Sequence, residues 1–248
     1  MGIAINYRRT DAALQDQTTP LRVLKFFNPA GTLTLAATVS VGARVMTVTD
    51  ATGVQAGHIL CIKQAGRQFQ AAVLSIAGAP TLTTDTPFDY AFTAAAVINY
   101  GSSAMNVDGS SNPVTFRIGA AAGSRMDVTQ VRIGITDNAE MDDSKFGALA
   151  ALTNGLVLQY THSGVVYAVG NVKTNGQLRL TCSGEYALKA PAGSYGFSAV
   201  CHLGGQENAG VVIRLDGDHE DQIQLIVQDN LTGLTSATAL VIGHVVED

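Results

Sequence analysis

The chain has 248 residues, 46% of them hydrophobic, 6% aromatic and none Trp, with 14% charged residues and a formal net charge of −5. A length of this order holds one large β domain or two small ones. The charge content falls well below the ~25% of an average soluble domain, and no basic block exceeds Arg8-Arg9, so the electrostatic footprint of specific nucleic-acid binding is missing. No apolar run reaches the ~18 residues of a membrane-spanning helix, and residues 1–10 lack the basic-then-apolar order of a signal peptide, so no membrane partner is expected. So little charge implies either a surface rich in Thr, Ser, Asn and Gly or one that other subunits cover, and the charge depletion of obligate interfaces favours the second.

Residues 1–33 form a polar stretch broken by Pro20 and Pro29, which disfavours a helix. They are expected to be an extended N-terminal arm. Its apolar patch, Leu21, Val23, Leu24, Phe26 and Phe27, would dock on a neighbouring copy, with Leu21, Leu24, Phe26 and Phe27 as the interface residues. Residues 34–100 read as a small β domain of barrel-like or rolled form. Arg44-Val45-Met46-Thr47-Val48, Ile59-Leu60-Cys61-Ile62-Lys63 and Gln68-Phe69-Gln70-Ala71-Ala72-Val73-Leu74 are short strand segments. Asp50-Ala51-Thr52-Gly53 reads as an Asx-type turn and Gly66-Arg67 as a hairpin turn.

Residues 101–248 are also β-dominated. Val114-Thr115-Phe116-Arg117-Ile118 and Asp127-Val128-Thr129-Gln130-Val131-Arg132-Ile133-Gly134-Ile135 alternate, which places Val and Ile on one face. Further segments at 156–160, 165–169, 178–182, 211–215, 222–227 and 239–242 complete an expected β-sandwich of jelly-roll type. One short helix is expected, capped by Asp142-Asp143-Ser144, with Phe146, Leu149, Ala150 and Leu152 on its apolar face and Asn154-Gly155 at its end. Asp137, Glu140, Asp142 and Asp143 would then favour the helix N-terminus.

Candidate chemistry is sparse. Asp216-Gly217-Asp218-His219-Glu220-Asp221 is the densest acidic group, and Asp216 and Asp218 are weak candidate metal ligands. The order does not match a twelve-residue calcium loop, and a hairpin turn between segments 211–215 and 222–227 accounts for it. The five histidines form no His-x-x-x-His pattern. Ser194 in Gly193-Ser194-Tyr195-Gly196 lacks the spacing and the α/β context of a nucleophile elbow. Cys61, Cys182 and Cys201 have no metal-type spacing and are read as buried or half-buried thiols. Tyr160, Tyr167, Tyr186 and Tyr195 are candidates for a glycan-stacking surface, weighed against a simpler place at the core rim with wet hydroxyls. No catalytic set and no cofactor are expected.

Several turn and strand-end stretches carry a family resemblance: Asp50-Ala51-Thr52-Gly53 through Gly57, Asp85-Thr86-Pro87-Phe88-Asp89-Tyr90-Ala91-Phe92, Met105-Asn106-Val107-Asp108-Gly109-Ser110, and Lys145-Phe146-Gly147 with Thr153-Asn154-Gly155-Leu156-Val157-Leu158. Residues 171–176, 189–197, 214–218 and 228–234 continue it. From about residue 45 onward the chain resembles virion structural proteins of tailed bacteriophages. The resemblance implies a part of the virion, assembled in the host bacterial cytoplasm, with no enzyme activity. The expected partners are copies of itself and other virion proteins, in a symmetric homo-oligomer at the neck, tail or baseplate. Alternatives are a capsid decoration or head protein, and a receptor- or glycan-binding module of the particle.

Overall fold

The computed structural model describes residues 21–78, 80–174, 177, 185–190, 194–202 and 213–247. In chain order its strands are β1 (Leu21–Lys25), β2 (Asn28–Thr34), β3 (Val45–Thr47), β4 (Ile59–Gln64), β5 (Arg67–Ala77), β6 (Thr81–Thr84), β7 (Val97–Ser102), β8 (Val114–Gly119), β9 (Ser124–Asp137), β10 (Leu156–His162), β11 (Val165–Val172), β12 (Glu185–Ala190), β13 (Ser194–His202), β14 (Ile213–Asp216), β15 (Gln222–Val227) and β16 (Ser236–Glu247). The fold is all-β, and every strand pairing is antiparallel.

Strands β2 to β7 make one sheet in the order β2-β7-β4-β5-β6-β3. Its two ends meet. The amide of Ala36 donates to the Thr47 carbonyl at 2.8 Å and the amide of Thr49 to Thr34 at 2.9 Å, beside a Leu35–Val48 bridge. The sheet is thereby closed into a small barrel, which leaves little free edge. The run Ile59-Leu60-Cys61-Ile62 is apolar without alternation because both faces of β4 are buried. Leu60 and Ile62 join the barrel core with Phe69, Phe88 and Phe92, whereas Ile59 and Cys61 pack outside it against Phe27. Ala65 and Gly66 both take positive φ, at 50° and 74°. That pair is the tight turn between β4 and β5, one residue ahead of the Gly66-Arg67 step expected. The Asx turn holds as read: the Asp50 carboxylate accepts from the Thr52 amide and hydroxyl, each at 2.8 Å.

The remaining strands form two packed sheets, β1-β16-β9-β13-β12 with β14 also on β9, and β11-β10-β15-β8. The chain crosses between them from β8 to β9, β9 to β10, β11 to β12, β14 to β15 and β15 to β16. Their shared core includes Val131, Ile133 and Ile135 from one sheet and Phe116, Leu158 and Leu225 from the other. Strand β9 changes phase in the middle. Gly243 of β16 pairs with Val128 and Ile242 with Gln130, so Thr129 is an extra, bulged residue. The bulge turns Val128 and Val131, three apart in sequence, onto the same buried face.

Three expectations change. Residues 142–152 form no helix. The Asp142 carboxylate instead closes an Asx turn on the Ser144 amide at 2.8 Å, and Gly147 has φ +61°, a left-handed conformation that ends helical winding. The buried carboxylate of Asp137 accepts from the Ala148 amide at 2.6 Å, so Asp137 holds this double turn rather than a helix dipole. The boundary expected at residue 33 also falls differently: β1 is a sandwich strand on β16 and β2 a barrel strand on β7, while residues 1–20 lie outside the described set. Finally, Cys61 is a buried free thiol but Cys201 is disulfide-bonded, so the three cysteines are not all thiols.

The barrel therefore sits between β1 and β8 of the sandwich. The seam is stitched by the Arg117 amide donating to Phe27 at 3.0 Å, the Gly66 amide donating to Ala122 at 3.0 Å, and Arg22 bonded to Asp89 and Tyr90.

Candidate functional site at the sandwich edges

Strand alternation splits the apolar patch of the expected arm. On β1 the side chains of Leu21 and Val23 face out and that of Leu24 faces in. Leu24 and Phe26 belong to the sandwich core, and Phe27 packs on Ile59 and Cys61. Leu24, Phe26 and Phe27 are thus buried against this chain itself and are not free to dock on a neighbour. Of the four expected interface residues, Leu21 alone is exposed, at 57%.

The exposed apolar surface that sequence reasoning missed is on β11. Its pattern is exposed on both faces over its first four residues, and Val165, Val166 and Tyr167 are all open to solvent. Among the described residues β11 pairs only with β10, so one side of its backbone has no strand partner there. The opposite edge of this sheet, β8, is covered where Phe27 bridges Arg117. Among the described strands β1 likewise ends its own sheet, with Leu21 and Val23 outward. Most soluble proteins blunt such edges with charge or proline. The tight turn that creates the β10–β11 hairpin is Ser163-Gly164, with φ of 48° and 78°. The sequence signal was available: Ser-Gly between two apolar runs, with no charged residue between Val165 and Val172.

The acidic segment 216–221 is a corner between sheets, not a hairpin. β14 pairs with β9 and β15 with β10 and β8, so the two strands flanking it do not pair with each other. Gly217 opens a 3-10 turn, Gly217–His219, and lies so close to the backbone of Ala121 that a Cβ there would sit 1.7 Å from its carbonyl oxygen. The carboxylates are consumed in holding this corner. Asp216 accepts from the Asp218 amide at 3.0 Å and Asp218 from the Gly123 amide at 2.8 Å. Asp221 is 1% exposed and accepts from the Asp216 amide at 3.0 Å, the Ser163 amide at 3.1 Å and His162 Nδ1 at 2.7 Å. Burial raises the Asp216 pKa, but the Asp218 amide and His219 outweigh it and hold the carboxyl below its ordinary value. Among the described residues no group of three or more His, Cys, Asp or Glu side chains is placed to hold a metal ion. Asp127 is buried too, and forms a two-point ion pair with Arg214 at 2.6 and 2.9 Å that raises the arginine pKa.

Tyr160 and Tyr167 stack at 4.8 Å with an interplanar angle of 15°. Tyr160 packs on the core rim, and Tyr167 is 42% exposed. Tyr195 is half-buried on β13, and the side chain of Tyr186 lies outside the described set, as does that of Ser194.

No protein-family model matches the sequence, and no curated protein matches it. Among solved structures, "Structure of infectious bursal disease virus Gt strain" aligns over 93% of this chain and 82% of that one, at 11% identity and a TM-score of 0.12. At that score the two backbones do not share a common course, and nothing is carried over from it.

Proposed function

We propose that this chain is a structural subunit of a tailed-bacteriophage virion, which works by assembling as a symmetric homo-oligomer at the neck, tail or baseplate. The observation that carries the reading is β11: a strand edge unpaired among the described residues, with Val165, Val166 and Tyr167 exposed, on a chain with only 14% charged residues. A strand edge of this kind recruits another strand, and repeated around a ring it gives many modest contacts that sum to a stable closed assembly. The phage resemblance of the turn segments supplies the particle. Size-exclusion chromatography with light scattering tests the assembly, using the full chain, a chain lacking residues 1–20, and Val166→Lys. A closed oligomer that falls to a folded monomer in Val166→Lys is the expected result. A full chain that stays monomeric at every concentration refutes self-assembly through this edge. Copurification with tails or portal, against DNA-filled heads, separates the neck, tail or baseplate from a head-decoration role.

The stacked Tyr160–Tyr167 pair favours a second reading, a glycan-binding module of the particle, because sugars dock on exposed aromatic faces. Cell or glycan-array binding that is lost in Tyr167→Ala, with the oligomer intact, would move this reading ahead.

A further inference from the structure

The seam between barrel and sandwich is open along part of its length. A cleft of about 310 Å³ lies there, lined from the barrel by Lys63 and Asn99 and from the sandwich by Arg117 and by the corner that carries Glu220 and Asp221. Strand parity puts the two cations there. On β4, Leu60 and Ile62 fill the barrel core, so Lys63 belongs with Ile59 and Cys61 on the outer face. On β8, Phe116 and Ile118 fill the sandwich core, and Arg117 points away from it. Gly119, next on that outer face, leaves room for the lysine: a Cβ at Gly119 would lie 3.5 Å from Lys63 Nζ.

Among the described residues no carboxylate neutralises either cation. Lys63 Nζ donates to the Ala120 carbonyl at 2.9 Å, and among the described residues it makes no ion pair. The Arg117 guanidinium makes no side-chain hydrogen bond or ion pair among them either. The buried carboxylate nearest to hand, Asp221, is already committed to His162, Ser163 and Asp216. Glu220, exposed at the rim, bonds neither cation. Burial lowers the Lys63 pKa, Cys61 beside it works against that shift, and the positive charge of Arg117 adds to it. Two like charges facing one polar cleft cost free energy that a bound anion would recover.

We propose that this cleft binds a small oxyanion, a phosphate or carboxylate group, bridged between the Lys63 ammonium of the barrel and the Arg117 guanidinium of the sandwich. The side-chain amides of Asn99 and Gln222 also line the cleft and are neutral groups that could donate beside them. Such a ligand joins the two units across their seam, so its binding stabilises the folded chain by mass action. The volume falls at the lower end of small-molecule sites. That suits inorganic phosphate or a short dicarboxylate better than a nucleotide.

The test is thermal unfolding and isothermal titration calorimetry of the full chain with inorganic phosphate and, separately, succinate. Sodium chloride at matched ionic strength is the control. A saturable rise in Tm with one oxyanion and not with chloride is expected, together with at least a tenfold weaker Kd in Arg117→Gln and in Lys63→Met. Arg117 is exposed and Lys63 half-buried, so Arg117→Gln keeps the fold even if the lysine variant does not. Which of the two anions binds more tightly assigns the ligand as phosphate-like or carboxylate-like. No saturable response to either, or an equal response in wild type and Arg117→Gln, overturns the site.

Discussion

The barrel and the sandwich solve the same problem in opposite ways. Both are antiparallel sheets with a buried apolar face, yet the barrel closes its sheet through Leu35–Val48 while the sandwich stops at β1 and β11. The barrel also exposes apolar side chains, such as Leu74, Ile76 and Val97, but these sit on β5 and β7, which are inner strands of their sheet. On β11 an apolar surface coincides with a backbone edge that no other described strand pairs. An exposed valine alone is ordinary surface; an exposed valine on an open strand edge is a place where another chain adds. The barrel is thus the unit whose sheet closes on itself, and the sandwich the unit whose sheets end, among the described residues, at strands with one neighbour.

The largest effects test whether the two cores stand or fall together. Phe88→Ala in the barrel and Phe116→Ala in the sandwich each remove a fully buried ring, at an expected cost of ~3–5 kcal/mol. If the seam couples the units, urea unfolding stays a single transition in both variants. A split into two transitions, with only the mutated unit shifted, breaks the comparison by making them independent. Next in size is Asp137→Ala, which leaves the Asn138 and Ala148 amides without their acceptor. A loss of ~1–3 kcal/mol is expected, read as a lower urea midpoint, and an unchanged midpoint would mean the double turn at 142–152 is not held from β9. The smallest is a pH effect at the sheet-to-sheet corner. The Asp216 carboxyl lies below its ordinary value in the fold. Its stabilising contribution is therefore present above the unfolded pKa of ~3.9 and is lost as pH falls through the lower folded value. Amide resonances of Asp218 and Gly123 should shift on acidification in wild type, and Asp216→Asn should abolish that shift.

Much of this architecture was legible in the sequence, and the failures have specific causes. β4, β10 and β15 were marked by apolar content and turn residues, and the closed form of the barrel follows from short strands with tight turns. β1 was misread as an arm because its partner, β16, lies at the far end of the chain; alternation over five residues does not say what a strand pairs with. The supposed helix had a cap, an apolar face and a stop, but Gly147 in the middle takes a left-handed φ beneath the Asp137 carboxylate, a contact between distant residues that propensity does not register. The acidic corner was misjudged for a similar reason. Asp-Gly signals a reversal, and only the pairing of β14 with β9 makes it a crossing between sheets. The Lys63–Arg117 cleft had no local signature, since its two cations come from strands in different units.

The way the chain enters and leaves the barrel has a consequence for its history and its engineering. Phe26 and Met105 both donate to β16, to the carbonyls of Ala239 at 3.0 Å and Ala237 at 2.7 Å, and the next residues inward, Asn28 and Ser102, are paired across β2 and β7. The excursion therefore begins and ends at one spot on the parent strand, which is the geometry of a cassette spliced into a host. A different module with neighbouring termini can occupy the same doorway without altering the order of the strands around it.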